Sequence, residues 1–357
     1  MADNKQAVNE FNQQVKPVSL WADAWKRLKK NRMALIGLWI TVIFALVGLF
    51  APILPLIDYT HTETDFTNLP PSFRPAGEVA LSEAQKRIEL IGGMVKDGRA
   101  DLVPELEKSE ASYEKLKREY VAKPASRNIY IFGTDYLGRD MLSRTIYGGR
   151  ISMLVGLIGT ITAVLIGVVY GAIAGYLGGR ADNLMMRIVD IMYGLPYMLI
   201  VIILMAMFSK EGSSAIFILF IAIALVSWLT EARVVRGQII SLKNSEFVEA
   251  ARSMGASTAR IIFRHLLPNT LGVIIIFATL SVPSFIMNES FLSFLGLGVS
   301  APDASWGTLV SDSIKGLELH PWCLLVPASA MTLFLFAMNF LGDGLRDALD
   351  PQSKNRA

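Results

Sequence analysis

Four ionisable side chains stand in otherwise apolar stretches: Asp190, Glu231, Arg233 and Glu289. Groups of this kind inside a bilayer are the raw material of a proton or ion relay. Their neighbours favour a plainer reading for the first three. Asp190 follows Arg187 by roughly one helical turn, and Glu231 stands beside Arg233, so each can sit near a membrane interface, paired or snorkelled. Glu289, preceded by Asn288 late in an apolar run, has no such neighbour. Other chemistries lack their residues. The chain has no GxxxxGK[ST] loop to cradle nucleotide phosphates, and no HExxH, GxSxG or CxxC. His61, His265 and His320 form no ligand spacing, and the single Cys323 permits neither an internal disulfide nor a cysteine metal site.

Another stretch offers mechanics instead of reaction chemistry. Residues 244–268 read NSEFVEAARSMGASTARIIFRHLLP, charged and flanked by apolar segments long enough to cross a bilayer. The pattern is helix, break, helix. Asn244 or Ser245 suits an N-cap, and Glu246 and Glu249 fall in the opening turns, where the positive helix end favours carboxylates. Gly255 suits the left-handed position that ends this helix. Ser257 suits the cap of a second helix, which Pro268 would close. A water-soluble helix of about two turns, held by a span on each side, is a lever arm.

The elements that position these residues follow from composition. Of 357 residues, 52% are hydrophobic and 18% charged, a balance that soluble domains rarely carry. The net charge of +3 is too small to suggest nucleic acid. Residues 1–32 are polar and end in Lys26, Arg27, Lys29, Lys30 and Arg32, with Trp21 and Trp25 on one face of an expected interfacial helix. Residues 33–57 are uncharged, enough to span with some tilt. This run is longer than a signal peptide's, so a retained first span is expected, with the N-terminus inside.

Five further spans are expected at 151–177, 188–208, 213–233, 270–294 and 321–341. The second carries Gly167, Gly171 and Gly175, a stripe that permits close approach of another helix. The third holds Pro196, a kink; the fifth holds Pro283, Asn288 and Glu289. Six spans put both termini on one side. The inner segments then hold most Lys and Arg outside the long loop, while the short outer loops hold only Lys210 and Lys315, as the positive-inside rule requires. Loop 58–149 is long enough to cross regardless of charge. Within it, 78–123 reads as a helical hairpin. Ser82 with Gln85 suggests a capping box, Asp97-Gly98 a break, and Pro104 the start of a second helix with Leu106, Tyr113, Leu116 and Tyr120 along one stripe. A solvated hairpin and a partner-contacting one are equal readings of that length.

Several motifs resemble one family. Glu249-Ala250-Ala251, then Gly255, then Leu267-Pro268 resembles the EAA loop of ABC importer permeases, departing only at His265, where that pattern has Ile. Gly133-Thr134-Asp135 and Gly138-Arg139-Asp140 resemble the signature ahead of the second span in oligopeptide and dipeptide permeases. The physics there is that of a tight bend, with Arg139 between two aspartates to tie it down. Residues 289–298 with Trp306-Gly307, and 339–347 with Asp350-Pro351, match as well. The 289–298 run is too apolar for a free loop and reads as a re-entrant or interfacial segment. The resemblance covers nearly everything except 1–20 and 78–127, and is closest to the second membrane subunit of oligopeptide importers.

That resemblance implies an all-α polytopic membrane protein with the six transmembrane helices of the ABC type I importer permease fold and an extracytoplasmic helical insertion after the first span. Residues 1–32 would be a cytoplasmic tail, 33–57 the first span, 58–149 the outer loop, 150–342 a five-helix core containing coupling loop 234–269, and 343–357 a cytoplasmic tail. It implies that the loop is a coupling helix docking in a groove of an ATPase. Phe247 and Met254 would be apolar anchors, Ala250 and Ala251 would let the helix sit low, Glu249 would pair across the interface and Gly255 would end the helix. Asn288 and Glu289 would line the translocation path or its gate. The implied partners are a homologous second permease, two cytoplasmic ATPase subunits that hold ATP and magnesium, an extracytoplasmic peptide-binding protein and the lipid bilayer. No cofactor, metal, nucleic acid or catalytic residue is expected in this chain. The implied place is a bacterial cytoplasmic membrane, with both termini in the cytoplasm. Oligopeptide import is the expected function, and dipeptide or nickel-chelate permeases share the pattern. An ion-driven transporter would need polar residues clustered at the midplane, for which only Asp190, Asn288 and Glu289 qualify. An intramembrane hydrolase would need a paired nucleophile and base, and none is evident.

Overall fold

The computed structural model describes residues 20–120, 123–208 and 215–349. The Trp21 side chain, Lys210 and Asp350-Pro351 lie outside the described residues. Among the described residues the regular structure is helical, and pairing between extended segments is limited to one bridge, Thr134 to Asp140.

Helix α1 (Leu20–Leu28) leads into α2 (Arg32–Phe50), whose start is capped by Asn31: its side chain accepts the Ala34 N–H at 3.2 Å. Expected to reach residue 57, α2 stops at Phe50, because Pro52 and Pro55 lack the donors that would continue it. The outer loop carries the expected hairpin as α3 (Ala76–Lys96) and α4 (Val103–Glu119), with the break at Gly98 in the left-handed region, φ 100°. Its start differs from expectation. Ser82 caps nothing, since the helix already begins behind Pro75, with the Ala76 N–H bonded to Asn128 O at 2.8 Å. Leu106, Tyr113, Leu116 and Tyr120 are half-buried, as the stripe requires. The hairpin's root packs on Phe66, Leu69 and Tyr130.

Helix α5 (Met141–Leu177) starts ten residues before the apolar run, because Asp140 caps it by accepting the Ser143 N–H at 2.9 Å. The glycine stripe on α5 meets α9 (Leu229–Leu242), which continues α8 (Ala215–Ser227) past Trp228. A methyl group at Gly171 would stand 2.3 Å from Ala232 O, and one at Gly175 2.8 Å from Arg236 O. Only glycine permits this approach. The expected third span is instead two helices, α6 (Gly179–Tyr193) and α7 (Tyr197–Phe208), bent by 77°. Pro196 marks the break, and the bend is far wider than a proline kink.

A short helix, α10 (Glu246–Ser253), precedes α11 (Thr258–Phe294). Pro268 was expected to end a helix there, yet α11 runs on through it. The turn just ahead, Ile261–Leu266, is a π-helix, which accommodates a ring that lacks the usual donor. After α12 (Trp306–Ser313), α13 (Trp322–Leu349) runs past the expected end at 341. Five helices are long and apolar enough to cross a membrane, and six if the bent pair counts as one span, among the described residues.

Packing fixes the two ends. At one, a methyl group at Gly344 of α13 would stand 2.1 Å from the Ala34 Cβ of α2. At the other, the Phe44, Trp306 and Phe334 rings cluster with centroids 5.6–5.7 Å apart. Between them α2 turns a wholly apolar face outward, with Trp39 63% and Leu49 66% exposed, as a lipid-facing helix does.

Candidate functional site

Helix α10 has two faces of opposite character. Val248 and Ala251, one turn apart, are buried against Val235 and Ile239 of α9 and Ile261, Ile262 and Leu266 of α11. The other face is open: Phe247 is 40% and Met254 81% exposed, and Glu249 and Ala250 stand in solvent. Gly255 adopts φ 79° and ends the helix, and the Ala256 N–H bonds back to Ala251 O at 3.0 Å. Ser257 accepts the Arg260 N–H at 3.4 Å, as expected of a cap. Ser245 occupies the N-cap position, but its hydroxyl donates to Leu242 O at 2.6 Å and leaves the helix start uncapped by a side chain. Of the residues chosen from sequence, Phe247, Glu249, Ala250, Met254 and Gly255 are exposed, while Ala251 is turned inward. Lys243, just before α10, donates to Gly175 O at 3.1 Å and ties this corner to the end of α5. A push on the open face therefore reaches α5, α9 and α11 through packed contacts.

The structure separates Asn288 from Glu289. Glu289 has no exposed surface, and its Oε1 accepts the hydroxyls of Ser293 at 2.7 Å and Ser305 at 2.6 Å. Trp306 completes this junction: its backbone N–H reaches Ser152 Oγ at 3.0 Å and its indole N–H donates to Thr145 O at 2.9 Å. Glu289 thus fastens the end of α11 to α12 in a sealed contact, apart from the cavity that Asn288 lines. Asn288 points elsewhere. It lines a cavity of about 440 Å³ between the α6–α7 break, the α8–α9 junction and α11, together with Tyr193, Tyr197, Ser227, Glu231 and Ser281.

The expected ion pairs are also redrawn. Asp190 pairs with Arg233 at 2.6 Å, not with Arg187, and Arg233 lies 4.0 Å over the Tyr193 ring. Arg236 holds Asp182 through two bonds of 2.5 and 2.6 Å, a fork-to-carboxylate geometry. Glu231 has no cationic partner among the described residues; its Oε1 accepts the Ser281 hydroxyl at 2.9 Å. The sequence reading missed the Asp182–Arg236 pair, which bridges 54 residues, although the glycine stripe indicates that some helix must lie there.

At the far end of α5, the 133–140 turn is tied as expected. Arg139 donates to Asp135 at 2.7 Å, and Gly133 and Gly138 take φ of 77° and 75°. This turn borders a second cavity of about 640 Å³ with Asp312, Lys315 and His320. Burial pushes the Asp312 carboxyl up and the His320 imidazole down from their ordinary values.

A family model described as "Binding-protein-dependent transport system inner membrane component" matches residues 167–355, more than half the chain. The chain belongs to this family. A second model, "N-terminal TM domain of oligopeptide transport permease C", matches residues 19–71. The oligopeptide transport system permease protein OppC of Escherichia coli (strain K12) is 39% identical over 353 residues, covering 98% of both chains. Its namesake in Bacillus subtilis (strain 168) is 39% identical over 337 residues, 94% of this chain and 91% of that one. The dipeptide transport system permease protein DppC of Bacillus subtilis (strain 168) is 40% identical over 336 residues, 94% of this chain and 87% of that one. Among solved structures, the inward-facing MetNI methionine ABC transporter covers 59% of this chain and 98% of its own, with 16% identity and a TM-score of 0.48. This family member is an all-helical, multi-pass membrane permease, a transport subunit and not an enzyme. The matched region contains α10, both faces of the glycine stripe and the Asn288 cavity.

Proposed function

We propose that this chain is one membrane half of an ATP-driven importer of peptides in a bacterial cytoplasmic membrane, with both termini in the cytoplasm. Its partners are a homologous permease, two cytoplasmic ATPase subunits and an extracytoplasmic peptide-binding protein. Peptides are the substrate class because the oligopeptide and dipeptide relatives are alike in identity and coverage. ATP and magnesium belong to the ATPase subunits, and this chain needs no cofactor.

The single observation that carries the reading is the two-faced helix α10, open on one side and locked into α9 and α11 on the other. The binding protein delivers peptide to the outer mouth. ATP draws the ATPase subunits together, and their grooves carry α10 with them. Because Val248 and Ala251 leave α10 no free play against α11, the spans move as well, and the path alternates between its two openings. Hydrolysis resets the state.

The test is Glu249→Arg in the assembled importer. Glu249 is exposed and supports no internal contact, so the variant is expected at the normal level in the membrane, with peptide uptake falling at least tenfold. Gly255→Pro is expected to do the same, since proline cannot adopt φ 79°. Uptake at the normal rate by Glu249→Arg would exclude this helix as the coupling element.

A further inference from the structure

The cavity lined by Asn288 holds a carboxylate that no cation pairs with among the described residues. Glu231 is 3% exposed, and while its Oε1 shares the Ser281 hydroxyl with Phe277 O, both at 2.9 Å, its Oε2 has no hydrogen-bond partner among the described residues. The neighbouring cations are taken: Arg233 is committed to Asp190 and Arg236 to Asp182. One more group on the cavity wall is in the same state: the Ser227 hydroxyl is buried and unpaired among the described residues, while the Tyr197 hydroxyl lies beside Asn288.

The position in the bilayer sharpens the point. Gly167, midway along the transmembrane part of α5, lies against the Glu231 Cβ, and Ser281 lies about as far from Pro268 as from Phe294 along α11. This is not the interfacial place expected for Glu231 from sequence. An isolated carboxylate at such depth is costly, and a burden of this kind is kept where a cation visits. The visiting cation needs several hydrogen-bond acceptors around one carboxylate, in a space larger than a bare ion requires. Glu231 Oε2, the Tyr197, Ser227 and Ser284 hydroxyls and the Asn288 carboxamide supply those acceptors, and a volume of about 440 Å³ supplies the space. A primary ammonium, with three donors in a tripod, matches this set.

We propose that Glu231, with Ser281 holding one carboxylate oxygen, is a station for the α-ammonium group of a peptide in transit through the membrane. This rests on the reading of the chain as a peptide importer. It assigns the amino terminus of the cargo to the break between α6 and α7, and makes the path selective for a free amine after the binding protein has let go. The remaining polar groups of the wall are small hydroxyls and amides, which suit peptides of any sequence.

The experiment uses the complete importer in proteoliposomes with its binding protein. Uptake of one tripeptide is compared with that of its N-acetylated form, each rate divided by the fraction captured by the binding protein in a separate equilibrium measurement. For the unaltered importer, a preference for the free amine of about tenfold is expected, near 1.4 kcal/mol. In Glu231→Gln, the preference is expected to fall to nearly one. Glu231→Asp retains most of it, and Ser281→Ala, which frees the carboxylate without removing it, reduces it two- to threefold. An unaltered preference in Glu231→Gln overturns the proposal. So does a parallel fall of both rates with the ratio kept, the result expected of a protonated or purely structural Glu231. If the unaltered importer carries neither peptide but carries another solute, the peptide reading itself fails, and that outcome is separate from any effect at Glu231.

Discussion

Single residues decide how closely the spans approach. The Cβ of an alanine at position 171 would meet Ala232 O at 2.3 Å, a backbone atom that cannot turn aside. At position 272 the same atom would meet only the Leu349 side chain, at 3.8 Å, an ordinary contact. Gly171→Ala is therefore expected to lower stability by about 1–3 kcal/mol through overpacking. Gly272→Ala is expected to raise it by about 0.5–1 kcal/mol, because glycine is a poor helix former. Thermal unfolding of the two variants in one detergent reads the opposite signs, and equal shifts would mean that the α5–α9 contact is looser than described. The stripe of Gly167, Gly171 and Gly175 was legible because four-residue spacing has one geometric meaning on a helix. What it packs against was not legible, because side-chain partners such as Asp182 and Arg236 are fixed by which helices become neighbours. Glu231 was misplaced for the same reason. Read along the chain it has Arg233 beside it; in the fold it faces Ser281 across to another span.

Elements obey their caps more than their hydropathy. The apolar runs marked where lipid would be; a helix overran its run where a polar cap set the true end, as at Asp140, and stopped short of it where a donor-free proline did, as at Pro52. The break at Gly255 was readable since left-handed backbone favours glycine. The passage of α11 through Pro268 was not, since a π turn leaves no local signature. For α10, the division of faces makes a prediction with two arms. Val248→Ala removes buried apolar volume from the α9–α11 seam and is expected to cost about 2 kcal/mol of stability. Met254→Ala, at a side chain 81% exposed, is expected to leave the unfolding temperature unchanged while reducing the ATPase recovered with the permease in a gentle detergent pull-down. Equal recovery from Met254→Ala and unaltered protein would place the docking contact elsewhere on the loop.

At the scale of the whole molecule, the fold is a bundle with two unlike ends. One gathers α10, the Gly344–Ala34 contact and a concentration of basic residues, among them Lys29, Lys30, Arg180, Arg187, Lys243 and Arg260. The other gathers the α3–α4 hairpin, the tied turn at 133–140 and the aromatic cluster around Trp306. Lys and Arg concentrate on the cytoplasmic side of short loops, so the proposed orientation has the basic end facing the cytoplasm and the hairpin facing outward. Cysteine labelling tests this directly, because Cys323 is the only thiol and is buried. In a Cys323→Ala background, an impermeant maleimide applied to spheroplasts is expected to label Ala100→Cys, at the exposed hairpin tip, and to leave Ala181→Cys untouched until the membrane is opened. The reverse pattern would turn the molecule over. Helix α10 would then face away from the cytoplasm, no ATPase could reach it, and the lever would have nothing to push on it.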